Sequence, residues 1–200
     1  KNIFPLLCDN IEMIDDKDLT IMLFRGNKSC LLLGFNLTSG KTEWEELIDD
    51  QFVSSPVIIN NTVFLTSNRV KKEQGGQPTL YAYNIADGGK KFIREFRRDN
   101  DNQAVMLNIL KKYNNISDNN SNILLSINKL DLDGEESFRD VALIETTSNS
   151  LLWKKTVDVG WGTAADFMLL NTEREKLLLL ILRHDIIALN YKTGIEEWRE

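Results

Sequence analysis

The chain has 200 residues, of which 42% are hydrophobic, enough to bury a substantial core as a soluble globular protein. Its formal net charge of −6 argues against nucleic-acid binding, and the nearest basic pairs, Lys71-Lys72 and Arg97-Arg98, are too short to line a groove. No apolar run reaches the length of a membrane span: LLLLIL at residues 177–182 ends at Arg183 and reads as a buried strand.

Taken in order, the chain offers strand-like segments in four groups of four. The first group is 4–14, 19–24, 30–36 and 42–48; the second is 55–59, 62–68, 79–85 and 90–96. The third is 105–113, 122–129, 138–146 and 151–157; the fourth is 165–170, 176–183, 186–191 and 195–200. No stretch of useful length carries the 3.6-residue period of a helix.

One unit recurs across these groups. In LGFNLTSGKTEW (residues 33–44) the anchors are Asn36, Gly40 and Trp44. The second copy is anchored by Asn84, Gly88 and Phe92, the third by Glu145, Asn149 and Trp153, and the fourth by Asn190, Gly194 and Trp198. The internal offsets stay at four and four, while the copies begin 48, 61 and 45 residues apart. A constant unit with variable spacers marks a repeat array whose insertions sit in loops. Apolar alternation before the first anchor predicts a half-buried strand, and the four residues after it predict a tight turn. Gly40, Gly88 and Gly194 are placed where that turn needs positive φ, and Asn149 tolerates the same region. Trp44, Phe92, Trp153 and Trp198 then fall on the returning strand as large apolar packing groups. The expected fold is an all-β propeller of four-stranded antiparallel blades, with blades at about 1–50, 51–99, 100–158 and 159–200.

The repeat resembles that of the PQQ-like, or quinoprotein-type, β-propeller superfamily. FVSSP (52–56), VFLTS (63–67), LYAYN (80–84), Gly88 and Phe92 follow its small-Ser-Pro entry, apolar strand, Tyr-Ala-Leu-Asp-like strand, Thr-Gly turn and aromatic. IALN (187–190), Thr193-Gly194 and Trp198 match it best; ALIE (142–145), with no glycine in the turn, matches it least. The resemblance covers nearly the whole chain and speaks to fold far more than to activity. The superfamily includes quinoprotein dehydrogenases, the outer-membrane assembly lipoprotein and luminal domains of endoplasmic-reticulum stress sensors. Each is an extracytoplasmic setting. The enzymes of the superfamily place a disulfide between adjacent cysteines over the quinone and hold Ca²⁺ with acidic and amide side chains. Here the two cysteines, Cys8 and Cys30, fall on the first and third strands of one blade. Two strand spacings of ~4.8 Å put them roughly 10 Å apart, beyond disulfide reach.

Other candidates for chemistry are sparse. His184 is the sole histidine and lies in a short turn beside Asp185, where a structural polar pair is expected. DLDGEE (131–136) begins like a calcium loop, but the acidic ligands expected further on are absent, so it reads as a solvated hairpin turn. Asn-x-Ser/Thr triplets begin at Asn36, Asn60, Asn115 and Asn119 and are read as turn chemistry. We therefore expect no catalytic residues, metal or cofactor. The expected role is a non-enzymatic protein-interaction module or scaffold, such as an assembly factor, a sensor domain or a toxin-neutralising partner. The alternative is a fragment of a quinone- or small-ligand-binding propeller enzyme.

Alternating strands place the second-to-third strand loops and the blade-crossing loops at one end. On that end Phe52 and Trp161 are the expected apolar partner contacts, and Asp49, Asp50 and Asp158 the expected charges. Trp161 stands apart from the repeat, between two glycines in a crossing loop. Four repeats are fewer than such rings usually hold, so the expected partner is another protein, or further blades from another segment or chain. Neither nucleic acid nor direct membrane insertion is expected.

Overall fold

In the computed structural model, residues 7–13, 18–67, 77–97, 103–110, 122–131, 137–158, 166–182 and 184–200 are described; for 7–13, 131, 137 and 158 this covers the backbone alone. The strands fall into four antiparallel sheets of four, each in simple sequence order, and no helix occurs among the described residues. The first sheet holds β1 (Leu7–Met13), β2 (Leu19–Arg25), β3 (Cys30–Asn36) and β4 (Lys41–Ile48). The second holds β5 (Val57–Ile59), β6 (Thr62–Thr66), β7 (Thr79–Asn84) and β8 (Lys90–Glu95). The third holds β9 (Gln103–Ile109), β10 (Asn122–Asp131), β11 (Ser137–Glu145) and β12 (Ser150–Asp158). The fourth holds β13 (Asp166–Asn171), β14 (Lys176–Ile181), β15 (Ile186–Asn190) and β16 (Glu196–Arg199). Each sheet is one blade, and the four follow the four repeats.

The chain forms two compact units. The first comprises Lys1–Arg69 with Gly76–Arg97, the second Val70–Gly75 with Arg98–Glu200. Each unit therefore contains two blades. In the first, Ile21, Leu23, Leu32 and Trp44 of the first blade pack on Val63, Leu65, Tyr83 and Ile85 of the second. In the second, Leu124, Val141, Leu143 and Trp153 pack on Leu178, Leu180, Ile187 and Leu189.

The repeat unit is a turn with its own chemistry. Gly40, Gly88 and Gly194 have φ of 67°, 68° and 70°, and Asn149 has 55°, as the turn requires. The glycine amide donates to the carbonyl of the preceding anchor: Gly40 to Asn36 at 2.9 Å, Gly88 to Asn84 at 2.9 Å and Gly194 to Asn190 at 2.8 Å. The Asn side chains close the turn from inside, Asn36 Oδ1 accepting the Ser39 amide at 2.8 Å and Asn190 Oδ1 accepting the Lys192 amide at 3.1 Å. In the third blade Glu145 fills this place and accepts from the Ser148 hydroxyl.

A register shift follows at the same point in every blade. It sets Trp44 opposite Gly34, Phe92 opposite Ala82, Trp153 opposite Leu143 and Trp198 opposite Ala188. One extra residue on the returning strand re-aims the aromatic. Trp44 and Trp153 then reach the turn of the next blade in their own unit. The Trp44 indole N–H donates to the Ile85 carbonyl at 2.8 Å, and that of Trp153 to the Tyr191 carbonyl at 2.8 Å. Both rings lie on the glycine of that turn: a Cβ added at Gly88 would stand 2.5 Å from Trp44, and one at Gly194 2.6 Å from Trp153. Ion pairs flank these contacts, Lys90–Glu46 at 3.6 Å and Lys155–Glu196 at 3.1 Å.

The expectation that all four aromatic anchors are buried is corrected by Trp198. Trp44 and Trp153 are 7% and 8% exposed, whereas Trp198 is 41% exposed, because no described turn lies over its ring. Phe92 is half-buried and packs within its own sheet, 6.3 Å between ring centroids from Phe64.

Gly40 supplies a controlled comparison with Gly88. Both have positive φ, but nothing lies within 4 Å of a Cβ added at Gly40. Gly40→Ala should therefore cost only the left-handed backbone penalty, about 1–2 kcal/mol. Gly88→Ala should cost a further 1–3 kcal/mol or so, because Trp44 must move off the turn. Urea denaturation of the two variants compares them; equal losses would contradict the Trp-on-glycine contact.

Candidate functional site

The crossing loop between β4 and β5 is the best-defined part of the expected partner face. Residues 49–54 are held from beneath by polar groups that belong to three different strands or their ends. Asp50 is buried, its Oδ1 accepting the Phe52 amide at 2.8 Å and its Oδ2 accepting the Tyr81 hydroxyl at 3.3 Å. The Arg25 guanidinium at the end of β2 donates to the Val53 carbonyl. Val53 bridges to Ser67, the Ser54 amide donates to the Thr66 carbonyl at 2.7 Å, and the Thr66 amide donates to Ser54 Oγ at 2.9 Å. A loop whose backbone is secured in this way holds one conformation, with Asp49 and Gln51 exposed and Phe52 half-exposed.

The expected site residues divide on this geometry. Asp49 is exposed and Phe52 is accessible in the same loop. Asp50 is corrected: at 1% exposure it is no outward charge but the internal tether of the loop. Asp158 ends β12 opposite Phe138, with only its backbone described. Trp161, the tract 111–121 and the loops 68–76, 132–136 and 159–165 lie outside the described residues. His184 is exposed, and the Asp185 carboxylate beside it faces the Arg199 guanidinium at 3.5 Å. Among the described residues no three His, Cys, Asp or Glu side chains converge as a metal site would require.

Cys30 lies buried under the same loop, and Cys8 is carried by β1 with β2 between them. Burial pushes the Cys30 thiol up, against the opposing charge of Arg25. Native protein treated with iodoacetamide should therefore remain unmodified at Cys30 and react there only in denaturant. Rapid native labelling at Cys30 in a peptide map would overturn this.

Two arrangements escaped sequence reasoning. Arg25 and Tyr81 secure the crossing loop from strands distant in sequence, and no local pattern announces them. In the third blade Asp140 is also 1% exposed, yet lies 3.3 Å from Lys129 Nζ and 3.1 Å from Lys154 Nζ, and accepts from Thr156 Oγ1 at 2.5 Å. The alternation of β11 gives Asp140 a core position, which is the one signal that was legible. On the opposite face of the same strand the Arg139 guanidinium lies 5.3 Å from the Phe167 ring centre, and its Nε donates to Asn128 Oδ1 at 2.7 Å.

The chain matches no family profile and no curated protein by sequence. By structure, 117 solved chains match. A europium-containing methanol dehydrogenase matches with TM-score 0.57 and 9% identity, over 96% of this chain and 42% of that one. The quinohemoprotein alcohol dehydrogenase of Comamonas testosteroni gives 0.56 and 8%, over 97% and 35%. The fold these matches share with the chain is a β-propeller of four-stranded antiparallel blades. A prolyl endopeptidase structure gives 0.57 and 11%, over 98% of this chain and 28% of that one, so the likeness reports blade architecture and not chemistry. The chain spans less than half the length of these three.

Proposed function

We propose that this PQQ-like propeller segment is a non-catalytic protein-docking module whose contact surface includes the 49–54 crossing loop. One observation carries the reading: the buried Asp50 carboxylate tethers this loop through both of its oxygens while Asp49 is exposed and Phe52 half-exposed. A pre-ordered loop on a rigid scaffold loses little conformational entropy on binding, which favours protein recognition. Trp161 and Asp158 hold the corresponding sequence positions between the blades of the second unit and are proposed as contact residues of that unit by itself. The family resemblance favours an extracytoplasmic setting.

A second reading, raised by the resemblance of the repeat to that of quinoproteins, is a fragment of a quinone- or small-ligand-binding enzyme. A photo-crosslinking residue at Phe52, compared with one at the exposed Asp87 in the β7–β8 turn at the other end of the same unit's second blade, separates the two. The docking module predicts a protein adduct at position 52 that Asp49→Lys abolishes. No adduct at position 52, with a bound small molecule in native mass spectrometry, would replace it with the enzyme reading.

A further inference from the structure

Within each unit a blade offers two faces. The face bearing the aromatic anchor packs on the next blade, and the opposite face receives the preceding one. The receiving positions are the same in both packed pairs. The anchor indole takes the carbonyl of Ile85 or Tyr191, three residues before the turn glycine, and both residues are buried. Tyr83 and Leu189, two residues earlier, are fully buried in the same interface.

The first blade has this receiving face without an occupant among the described residues. Leu37 holds the place of Ile85 and Tyr191 but is exposed, and Phe35 holds the place of Tyr83 and Leu189 but is only half-buried. Met22 and Leu33, directly paired and on the same face as Phe35, are half-buried as well. Gly40 has open space where Gly88 and Gly194 carry an indole. The fourth blade has the converse surface. Met168, Leu179, Ala188 and Trp198 form one row across its sheet, and Met168 and Trp198 are exposed. Leu170 and Ile186 extend this apolar face and are exposed too. The opposite face, through Phe167, Leu178, Leu180 and Ile187, is spent on the third blade.

We propose that copies of this chain associate head to tail, the Trp198 face of one seated on the Phe35, Leu37 and Gly40 face of another. The Trp198 indole N–H would donate to the Leu37 carbonyl and its ring would lie on Gly40, reproducing the contact that each unit already contains. This interface is heterologous, so association proceeds until the copies close. One element of the internal contact is missing. Residues two beyond the anchor and two beyond the glycine form the flanking ion pairs, and here they are Glu200 and Thr42. Thr42→Lys would restore the pair.

This inference is independent of the crossing-loop reading, whose crosslink at Phe52 requires no second copy. Sedimentation velocity over a dilution series is the test. The native chain should associate, whereas Trp198→Ala and Leu37→Asp should each be monomeric with native far-UV dichroism, since both residues are exposed. An equimolar mixture of the two variants should associate again, because the Trp198 face of one meets the intact Leu37 face of the other. Thr42→Lys should tighten association roughly two- to five-fold at low salt, the range of an exposed ion pair. A native chain monomeric at every concentration, or two variants that stay monomeric on mixing, would overturn the proposal.

Discussion

Replacing Trp44 with alanine should cost the first unit about 3–5 kcal/mol, a large part of the stability of a domain this size. The ring is enclosed on both sides. A Cβ at Gly34 of its own sheet would stand 2.3 Å away, and one at Gly88 of the next blade 2.5 Å away. Truncation leaves a slot that these two backbones cannot close, since each is fixed by its own strand or turn. It also removes the donor to the buried Ile85 carbonyl. Trp44→Phe separates the two contributions, because it keeps most of the packing and loses only the hydrogen bond, for about 1–2 kcal/mol. Urea denaturation followed by far-UV dichroism checks both. Trp198→Ala, the same change at an exposed anchor, should lose far less in a dilute sample.

Asp140→Ala should destabilise the second unit by a comparable amount, about 3–5 kcal/mol, through charge and not volume. Asp140 sits between Lys129 and Lys154 on neighbouring strands, and the Lys129 side chain is only 12% exposed. Without the carboxylate, Lys154 can turn to water, but Lys129, which is far less exposed, loses an ion pair inside the sheet. Asp140→Asn retains an acceptor for Thr156 Oγ1 and should lose less than the alanine variant. Chemical denaturation at neutral pH checks the order. A loss under 1 kcal/mol in the alanine variant would mean that Lys129 is solvated.

The fold was legible because the repeat writes its own geometry. A glycine four residues after Asn, and an aromatic four after that, specify a turn of positive φ and a re-aimed ring, and Asn149 shows the same logic where glycine is missing. The expected strands correspond one for one to β1–β16, with ends displaced by a few residues. The reach of each tryptophan was not legible: that Trp44 rests on Gly88 is a relation between blades, 44 residues apart in sequence. The site was harder still. Asp49 and Asp50 are identical neighbours in sequence, and only the bonds from Tyr81 and Phe52 decide that one points out and the other is consumed inside. Arg25 and Asp140 act through partners on other strands, which no local pattern records.

The central claim is that one tryptophan-on-glycine contact builds both units and is left half-made at Trp198. Hydrogen exchange of the indole N–H groups, assigned by single Trp→Phe variants, tests it most directly. In dilute solution the indoles of Trp44 and Trp153 should exchange orders of magnitude more slowly than that of Trp198, which should gain protection only as concentration rises. Exchange at Trp44 or Trp153 as fast as at Trp198 in the dilute sample would contradict the account.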